Sequence, residues 1–235
     1  MGWQAVAGLS GLAIIALALV RDYRRRLATR QQAERDLFAP LLRLSADARM
    51  VAVETAGSQC LRATVDGQTV EVRTVTDTLA LRKLPSLWLM VTLPGETGAE
   101  AALDLMMRPA AQTSFSNFDH LPDTLPRPAG FPEEAVLKSD DERRAPSPDL
   151  FRPFLRPFFQ GYGKELLLTP KGVRFVMQLA EGDRARYGVF RQADFSPPPL
   201  SPELVRPIIA DLVALKDGLT GASAAATEER IAIRA

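Results

Sequence analysis

The residues of this chain that could do chemistry are few, and the only histidine is the first to consider. His120 lies between Asp119 and Asp123 in a stretch rich in proline. A metal centre usually takes three or four ligands from His, Cys, Asp and Glu, and the sequence offers neither a second histidine nor a cysteine nearby. We therefore expect His120 to be a loop residue whose aspartate neighbours cap turns.

An acidic run, Asp140-Asp141-Glu142, is the second candidate. Three adjacent carboxylates can hold Mg²⁺ when further oxygen ligands come from elsewhere in the fold. Arg143 and Arg144 follow directly, which favours a solvated, charged turn. An enzyme with an acidic metal site is for this reason the lowest-ranked of the functions considered below.

The sequence shows no pattern for a nucleophile or a phosphate-binding loop. Cys60 is the single cysteine, and no spacing links it to His120 as a catalytic pair would require. Gly161-Tyr162-Gly163 lacks the later glycine and the Lys-Ser/Thr ending of a phosphate-binding loop. We expect no catalytic residue, no cofactor and no bound metal.

The 151–159 segment has a composition typical of interaction surfaces. Arg-Pro-Phe occurs in it twice, four residues apart, and aromatic residues and arginine are enriched at protein interfaces. Because Pro157 cannot lie in an undisturbed helix, the segment should form a kinked helix or two short turns. Its alternative role is core packing against a sheet. The candidate interaction residues are Phe151, Arg152, Phe154, Arg156, Phe158 and Phe159.

Residues 3–20 carry no formal charge and predict a membrane-spanning helix. Eighteen helical residues extend roughly 27 Å, close to the roughly 30 Å hydrocarbon core of a bilayer. A buried core helix and a cleaved signal peptide are the alternatives, but no Lys or Arg precedes the apolar run and four arginines follow it closely. The predicted membrane-interface residues are Trp3, Arg21, Tyr23, Arg24, Arg25 and Arg26.

Six arginines in residues 21–35 orient this predicted anchor. Flanks rich in Lys and Arg stay in the cytoplasm, so we expect the N-terminus outside and the bulk of the chain in the cytoplasm. The excess of Arg over Lys is typical of a bacterial coding background, which indicates a bacterial inner membrane. Ala7 and Gly11, four residues apart, would let a second membrane helix approach closely. The expected partners are the lipid bilayer and another membrane protein or complex.

The chain beyond this flank is slightly acidic. The net charge of all 235 residues is +1, yet residues 1–35 alone hold six arginines against Asp22 and Glu34. Non-specific binding of nucleic acid needs a basic face. We therefore expect no nucleic-acid partner.

The expected fold class is α+β: a single N-terminal transmembrane helix, then a cytoplasmic domain of antiparallel β-meanders with covering helices. Asp66-Gly67 between alternating residues predicts a hairpin. Alternation places Cys60 on the face opposite Leu61, partly exposed and open to thiol reagents. The predicted units are a transmembrane anchor (1–20), a basic helical stalk (21–44), a β-meander subdomain (45–108), a Pro-rich connection (109–132), a second α+β subdomain (133–221) and a flexible tail (222–235).

The last helix should begin at Ser201-Pro202-Glu203 and end near Gly218 or Gly221. Residues at helical spacing predict an apolar stripe that covers the second sheet, formed by Leu204, Ile208, Leu212, Leu215 and Leu219. A strand is expected over residues 186–191.

Three functional hypotheses follow from these features. The first is a non-enzymatic, membrane-anchored accessory, assembly or scaffold protein that docks on the cytoplasmic side of a bacterial membrane complex. The second is a ligand- or lipid-binding module with a groove between sheet and helices; a concave apolar pocket with convergent polar groups would favour it. The third is the enzyme with an acidic metal site.

Overall fold

A computed structural model describes the backbone of residues 2–52, 59–77, 84–109, 113, 115–182, 195, 197 and 199–232. Within the two long helices it describes the side chains of residues 16–25, 28–29, 32–38 and 202–219. The strand expected over 186–191 therefore lies outside the described residues. So do the side chains of Trp3, Ala7, Gly11 and Arg26.

Among the described residues, three α-helices and three 3₁₀ turns accompany the sheet. The helices are α1 (Gly2–Phe38), α2 (Arg156–Phe159) and α3 (Pro202–Ala232). The 3₁₀ turns are Ala39–Arg43, Phe118–His120 and Pro148–Phe154. Over the described part of the chain, no helix has the length and apolar composition that a membrane crossing requires.

The nine strands in the described ranges form one sheet, and all the paired strands are antiparallel. They are β1 (Arg49–Ala52), β2 (Gln59–Val65), β3 (Gln68–Asp77), β4 (Ser86–Pro94), β5 (Leu103–Met107), β6 (Asp123–Leu125), β7 (Ala135–Ser139), β8 (Gly163–Thr169) and β9 (Gly172–Glu181). Their spatial order is β1-β2-β3-β4-β9-β8-β5-β7-β6. The fold is thus mainly antiparallel β-sheet with a few helices, as the sequence predicts.

The pairing of β4 with β9 joins the two halves of the chain. Nine residue pairs connect these strands, from Ser86 opposite Glu181 to Pro94 opposite Gly172. Gly172 is required there because a Cβ on it would lie 2.6 Å from the carbonyl oxygen of Leu93. The meander β1–β4 and the hairpin β8–β9 therefore belong to a single sheet.

The predicted hairpin at Asp66-Gly67 is confirmed. Val65 pairs with Gln68, so the loop has two residues. Both have positive φ, 49° at Asp66 and 77° at Gly67, as a type I′ turn requires. Gly67 adopts this conformation without the steric penalty that a Cβ brings.

The two faces of the sheet are covered differently. On the first face lies the main core, to which α3, the 151–159 segment and the end of α1 contribute. Phe38, the last residue of α1, is fully buried in it. The second face carries a smaller cluster made of Met90, Met106, Phe115, Phe118 and Val176.

Two local predictions need correction. The helix α3 continues to Ala232, past the end expected near Gly218 or Gly221, because alanines at 222 and 224–226 have the highest helix propensity. The 109–132 connection contains an edge strand, β6, which pairs with β7 although only three residues long. A strand of three residues is too short to show the alternation from which strands are predicted.

Candidate functional site

The 151–159 segment forms two short turns, one of the two shapes that the sequence allows. Ser147 caps the first, its Oγ accepting a hydrogen bond from the backbone N–H of Asp149 at 3.4 Å. Pro157 lies in the first turn of α2, where the missing N–H costs no helical hydrogen bond. Phe151 and Phe158 are buried in the main core, and Phe158 meets the ring of Phe175 edge-on at 5.8 Å.

Arg152 is occupied by contacts within the protein. Its guanidinium pairs with Asp149 at 2.5 Å, donates to the carbonyl oxygen of Ala129 at 2.9 Å and lies 5.5 Å above the ring of Phe131. It therefore ties the segment to the preceding loop. Of the six predicted interaction residues, the core takes Phe151 and Phe158, Phe154 is half-buried, and Arg156 and Phe159 are presented to solvent.

A groove of about 680 Å³ lies between this segment and α3. Strands β8 and β9 supply its floor, the segment forms one wall, and the N-terminal half of α3 forms the other. Its apolar lining comprises Pro153, Phe154, Pro157, Leu166, Phe175, Met177, Leu204, Pro207, Ile208, Leu212 and Leu215. This volume lies within the range of roughly 300–1,000 Å³ that is usual for ligand sites.

The groove exists because α3 carries a wider apolar stripe than the sheet covers. Val205 and Ile209 enter the core, at 0 % and 3 % exposed. The predicted stripe runs through Leu204 and Ile208 instead, and these are half-buried and line the groove. Apolar residues occur at 204, 205, 208 and 209, whereas packing against the sheet uses only one face of the helix. These additional apolar residues are the sequence signal for the groove, and sequence reasoning missed it.

Polar groups lie on both walls of the groove, and the charged groups on the two walls have opposite sign. The segment side offers Arg156, Gln160 and Tyr162, whereas α3 offers Glu203 and Asp211. Partial burial raises the pKa of Asp211. Hydrogen bonds from its own backbone N–H and from the Ser201 hydroxyl lower the pKa of Glu203.

The ionisable candidates of the sequence do not come together. His120 is an exposed residue at the end of the 3₁₀ turn Phe118–His120. Asp140 accepts the backbone N–H of Ala102 at 2.8 Å, and Asp123 accepts that of Glu142 at 2.8 Å. Within the described ranges no group of three His, Cys, Asp or Glu residues could hold a metal ion. These acids are stabilisers of turns and loops.

Two other acids are buried side by side on the second face of the sheet, and sequence reasoning missed both. Asp104 and Glu165 are 1 % and 0 % exposed. Glu165 pairs with Arg174 at 2.9 Å and accepts a hydrogen bond from the Ser116 hydroxyl. Oδ1 of Asp104 has no hydrogen-bond partner among the described residues.

Burial is the main cause of raised pKa values in this acid pair. It raises the pKa of Asp104 well above the ordinary value, with the charge of Glu165 acting in the same direction. Burial also raises the pKa of Glu165, against the opposing effect of Arg174. The pair lies on the same face of the sheet as the cluster around Phe115 and Phe118 and does not reach the groove, which is on the opposite face. The position of Asp104 between Leu103 and Leu105 in β5 was the available signal.

The described part of α1 outside the domain is exposed on all sides. Leu17, Leu19 and Val20 are its exposed apolar side chains, and Tyr23 follows at 68 % exposed. Of the predicted membrane-interface arginines, Arg21, Arg24 and Arg25 are likewise exposed.

Comparison with known proteins gives no family. No protein-family model matches the chain, and no curated protein matches it. Among solved structures it is similar to the crystal structure of the mycobacterial trehalose monomycolate transport factor A, TtfA, at 11 % identity and a TM-score of 0.33. The alignment covers 66 % of this chain and 88 % of that one. A likeness of this degree supports no functional argument.

Proposed function

We propose that the protein is a non-catalytic binding module held at a bacterial inner membrane by α1, and that the groove beside α3 is its binding site. The groove is the observation that carries the proposal: an apolar floor and walls, with polar groups of both signs at the rim. This groove supports the ligand- or lipid-binding hypothesis over the docking hypothesis, which the sequence alone favours.

The membrane anchor is supported by the exposed part of α1. Leu17, Leu19 and Val20 would be covered by lipid, and Tyr23 with the neighbouring arginines would lie at the headgroup layer. In this proposal the N-terminus is outside and the domain is in the cytoplasm. The helix is continuous to Phe38, so residues 21–38 would hold the domain about 27 Å from the apolar run.

The junction of this stalk with the domain is tight. Leu37 and Phe38 are part of the main core. The carbonyl oxygen of Leu37 accepts the backbone N–H of Leu200 at 2.9 Å, and Arg206 donates to the carbonyl oxygen of Leu44 at 2.9 Å. Because both contacts involve the start of α3 and the residues just before it, the anchor and the groove are linked through a short path.

Docking on a membrane protein complex is the second candidate, and exposed aromatic residues favour it. Phe159 is 62 % exposed and Tyr162, at the edge of the groove, is 37 % exposed. With Arg156 they form a patch of the kind enriched at interfaces. An accessory or scaffold role would use this patch together with the small residues Ala7 and Gly11 in the anchor.

The proposed site can be tested with a variant in which a larger side chain fills the groove. Full-length protein is purified in mild detergent and examined by native mass spectrometry for co-purifying small molecules. Ile208→Trp places an indole in the groove, so the bound mass should disappear. Ala214→Trp adds the same ring at an exposed position of α3 that does not line the groove, and it should keep the bound mass. Loss in both variants, or in neither, contradicts the proposal.

A further inference from the structure

We propose that the ligand of the groove is an amphiphile with an acyl chain and a zwitterionic head that ends in a primary ammonium, of the phosphatidylethanolamine type. This inference rests on the proposed binding function and names the ligand class. It follows from the narrow floor of the groove, from the charges on its two walls and from a proline in α3.

The floor of the groove admits a slender ligand. Leu166, Phe175 and Met177 line it, yet each is at most 8 % exposed. Leu212 and Leu215 on the α3 side are at most 2 % exposed. A helix is about 10 Å across with its side chains, and a groove that received one would leave its floor open in the free protein. An acyl chain fits such a cleft, and its binding removes the methylene groups from water.

The rim carries opposite charges on opposite walls. Arg156 is exposed beside the groove, and a guanidinium binds a phosphate group through paired hydrogen bonds. Glu203 and Asp211 on α3 would repel a purely anionic head but attract an ammonium. A head that contains both a phosphate and an amine matches the two walls together, whereas an anionic phosphatidylglycerol matches only the first.

Pro207 adds a hydrogen-bond acceptor at the Glu203 end. It lies inside α3 and has no N–H to donate to the carbonyl oxygen of Glu203, four residues earlier. Both residues line the groove. A primary ammonium has three donors and can serve the carboxylate and this carbonyl at once. A quaternary ammonium has none, so the site should distinguish ethanolamine from choline.

Photo-crosslinking with defined lipids tests the assignment. Full-length protein is reconstituted in phosphatidylcholine vesicles that contain a trace of a phospholipid with a diazirine in its acyl chain. The probe has an ethanolamine, glycerol or choline head. Mass spectrometry then compares labelling of the α3 peptide with labelling of the α1 peptide, which contacts bulk lipid equally for all probes and serves as the internal reference.

The expected result is preferential labelling of α3 by the ethanolamine probe, lost in Ile208→Trp and kept in Ala214→Trp. Arg156→Gln should lower this labelling about tenfold, as loss of a charge-assisted hydrogen bond does. Glu203→Gln should lower it for the ethanolamine probe alone. Equal labelling by all three heads, or labelling that Ile208→Trp leaves intact, overturns the inference.

The same experiment separates this inference from the proposed function. If α1 is labelled and α3 is not, while native mass spectrometry still shows a groove-dependent small molecule, the ligand class is wrong and the binding module stands. If α1 is not labelled by any probe, membrane attachment is wrong. If neither α3 labelling nor a bound mass is found, both the ligand class and the binding site are overturned.

Discussion

The two faces of the sheet bury different kinds of side chain. The first is covered by helices through apolar contacts, and where α3 and the 151–159 segment diverge it leaves an open apolar groove. The second is covered by the loop around Phe115 and Phe118 and encloses charged groups. An apolar cleft can stay open to a ligand at little cost, whereas a buried carboxylate needs a permanent partner. The first face is therefore suited to binding and the second to holding the sheet together.

The second face also contains an internal comparison. Two Arg–Glu pairs, Arg62–Glu71 and Arg174–Glu165, each join neighbouring strands nine residues apart in sequence. Register places Arg62, Glu71 and Arg174 in one row across the sheet. The first pair is exposed to solvent. The second is not, because Glu165 is fully buried and Arg174 side-chain exposure is 17 %. The same kind of ion pair therefore occurs once in contact with solvent and once in a buried environment of lower dielectric constant.

The largest expected effect is the loss of Arg174. Arg174→Met leaves Glu165 and Asp104 as buried acids without their shared cation, and removing one partner of a buried pair costs about 3–5 kcal/mol. Urea unfolding of the full chain in mild detergent, followed by far-UV circular dichroism at neutral pH, measures the free energy of unfolding.

Arg62→Met is the matched control for this prediction. Its pair is exposed, and exposed pairs contribute under about 1 kcal/mol. Similar losses in the two variants would mean that Glu165 is no more shielded from water than Glu71. Acid pH should rescue Arg174→Met in part, because both buried carboxyls then take up protons.

The next largest loss of stability is expected from substitution of two adjacent isoleucines in α3. The comparison tests whether the groove is open to solvent. Ile209 is in the core, so Ile209→Ala should cost about 2–5 kcal/mol. Ile208 lines the groove and has solvent on one side, so Ile208→Ala should cost less than half of that. The same unfolding measurement applies. Equal costs would indicate that the groove is closed in solution, and the binding proposal would lose its site.

The sequence predicts the local structure of this protein well and the distant contacts poorly. The Asp66-Gly67 hairpin, the antiparallel meander and the two turns of the 151–159 segment follow from residues near one another. The pairing of Trp88 with Gln178 does not, because its partners are 90 residues apart in the sequence (178 − 88). The pairing of β5 with β8, which makes Asp104 and Glu165 neighbours, likewise joins residues distant in sequence.

Cys60 shows where alternation stops being sufficient. The predicted register is correct, since Leu61 is in the main core and Cys60 is on the other face. The predicted exposure is wrong: Cys60 is 6 % exposed, and burial raises the pKa of its thiol. Periodicity gives the face on which a side chain lies, but whether a second layer covers that face depends on contacts from far along the chain.

The smallest effect concerns how stability depends on pH, and two aspartates should act with opposite sign. The folded pKa of Asp104 is raised above its ordinary value of 3.8, so the folded state holds the proton more tightly than the unfolded state. Its contribution to stability is complete below pH 3.8 and is lost as pH rises through the folded pKa. The slope is at most about 1.4 kcal/mol per pH unit.

Asp47 is the counterpart on the exposed side of the molecule. Hydrogen bonds from the hydroxyls of Ser45 and Thr64 lower its pKa below 3.8. Its contribution is therefore present above pH 3.8 and lost as pH falls. Asp104→Asn should become more stable than wild type as pH rises from 4 to 8, whereas Asp47→Asn should be less stable at neutral pH and approach wild type in acid. Measuring urea unfolding of both variants against wild type from about pH 2 to pH 8 separates the two contributions, because that of Asp47 is lost only below pH 3.8. If Asp104→Asn is destabilised equally at every pH, the side chain acts through its shape, and burial of charge is not what distinguishes the second face.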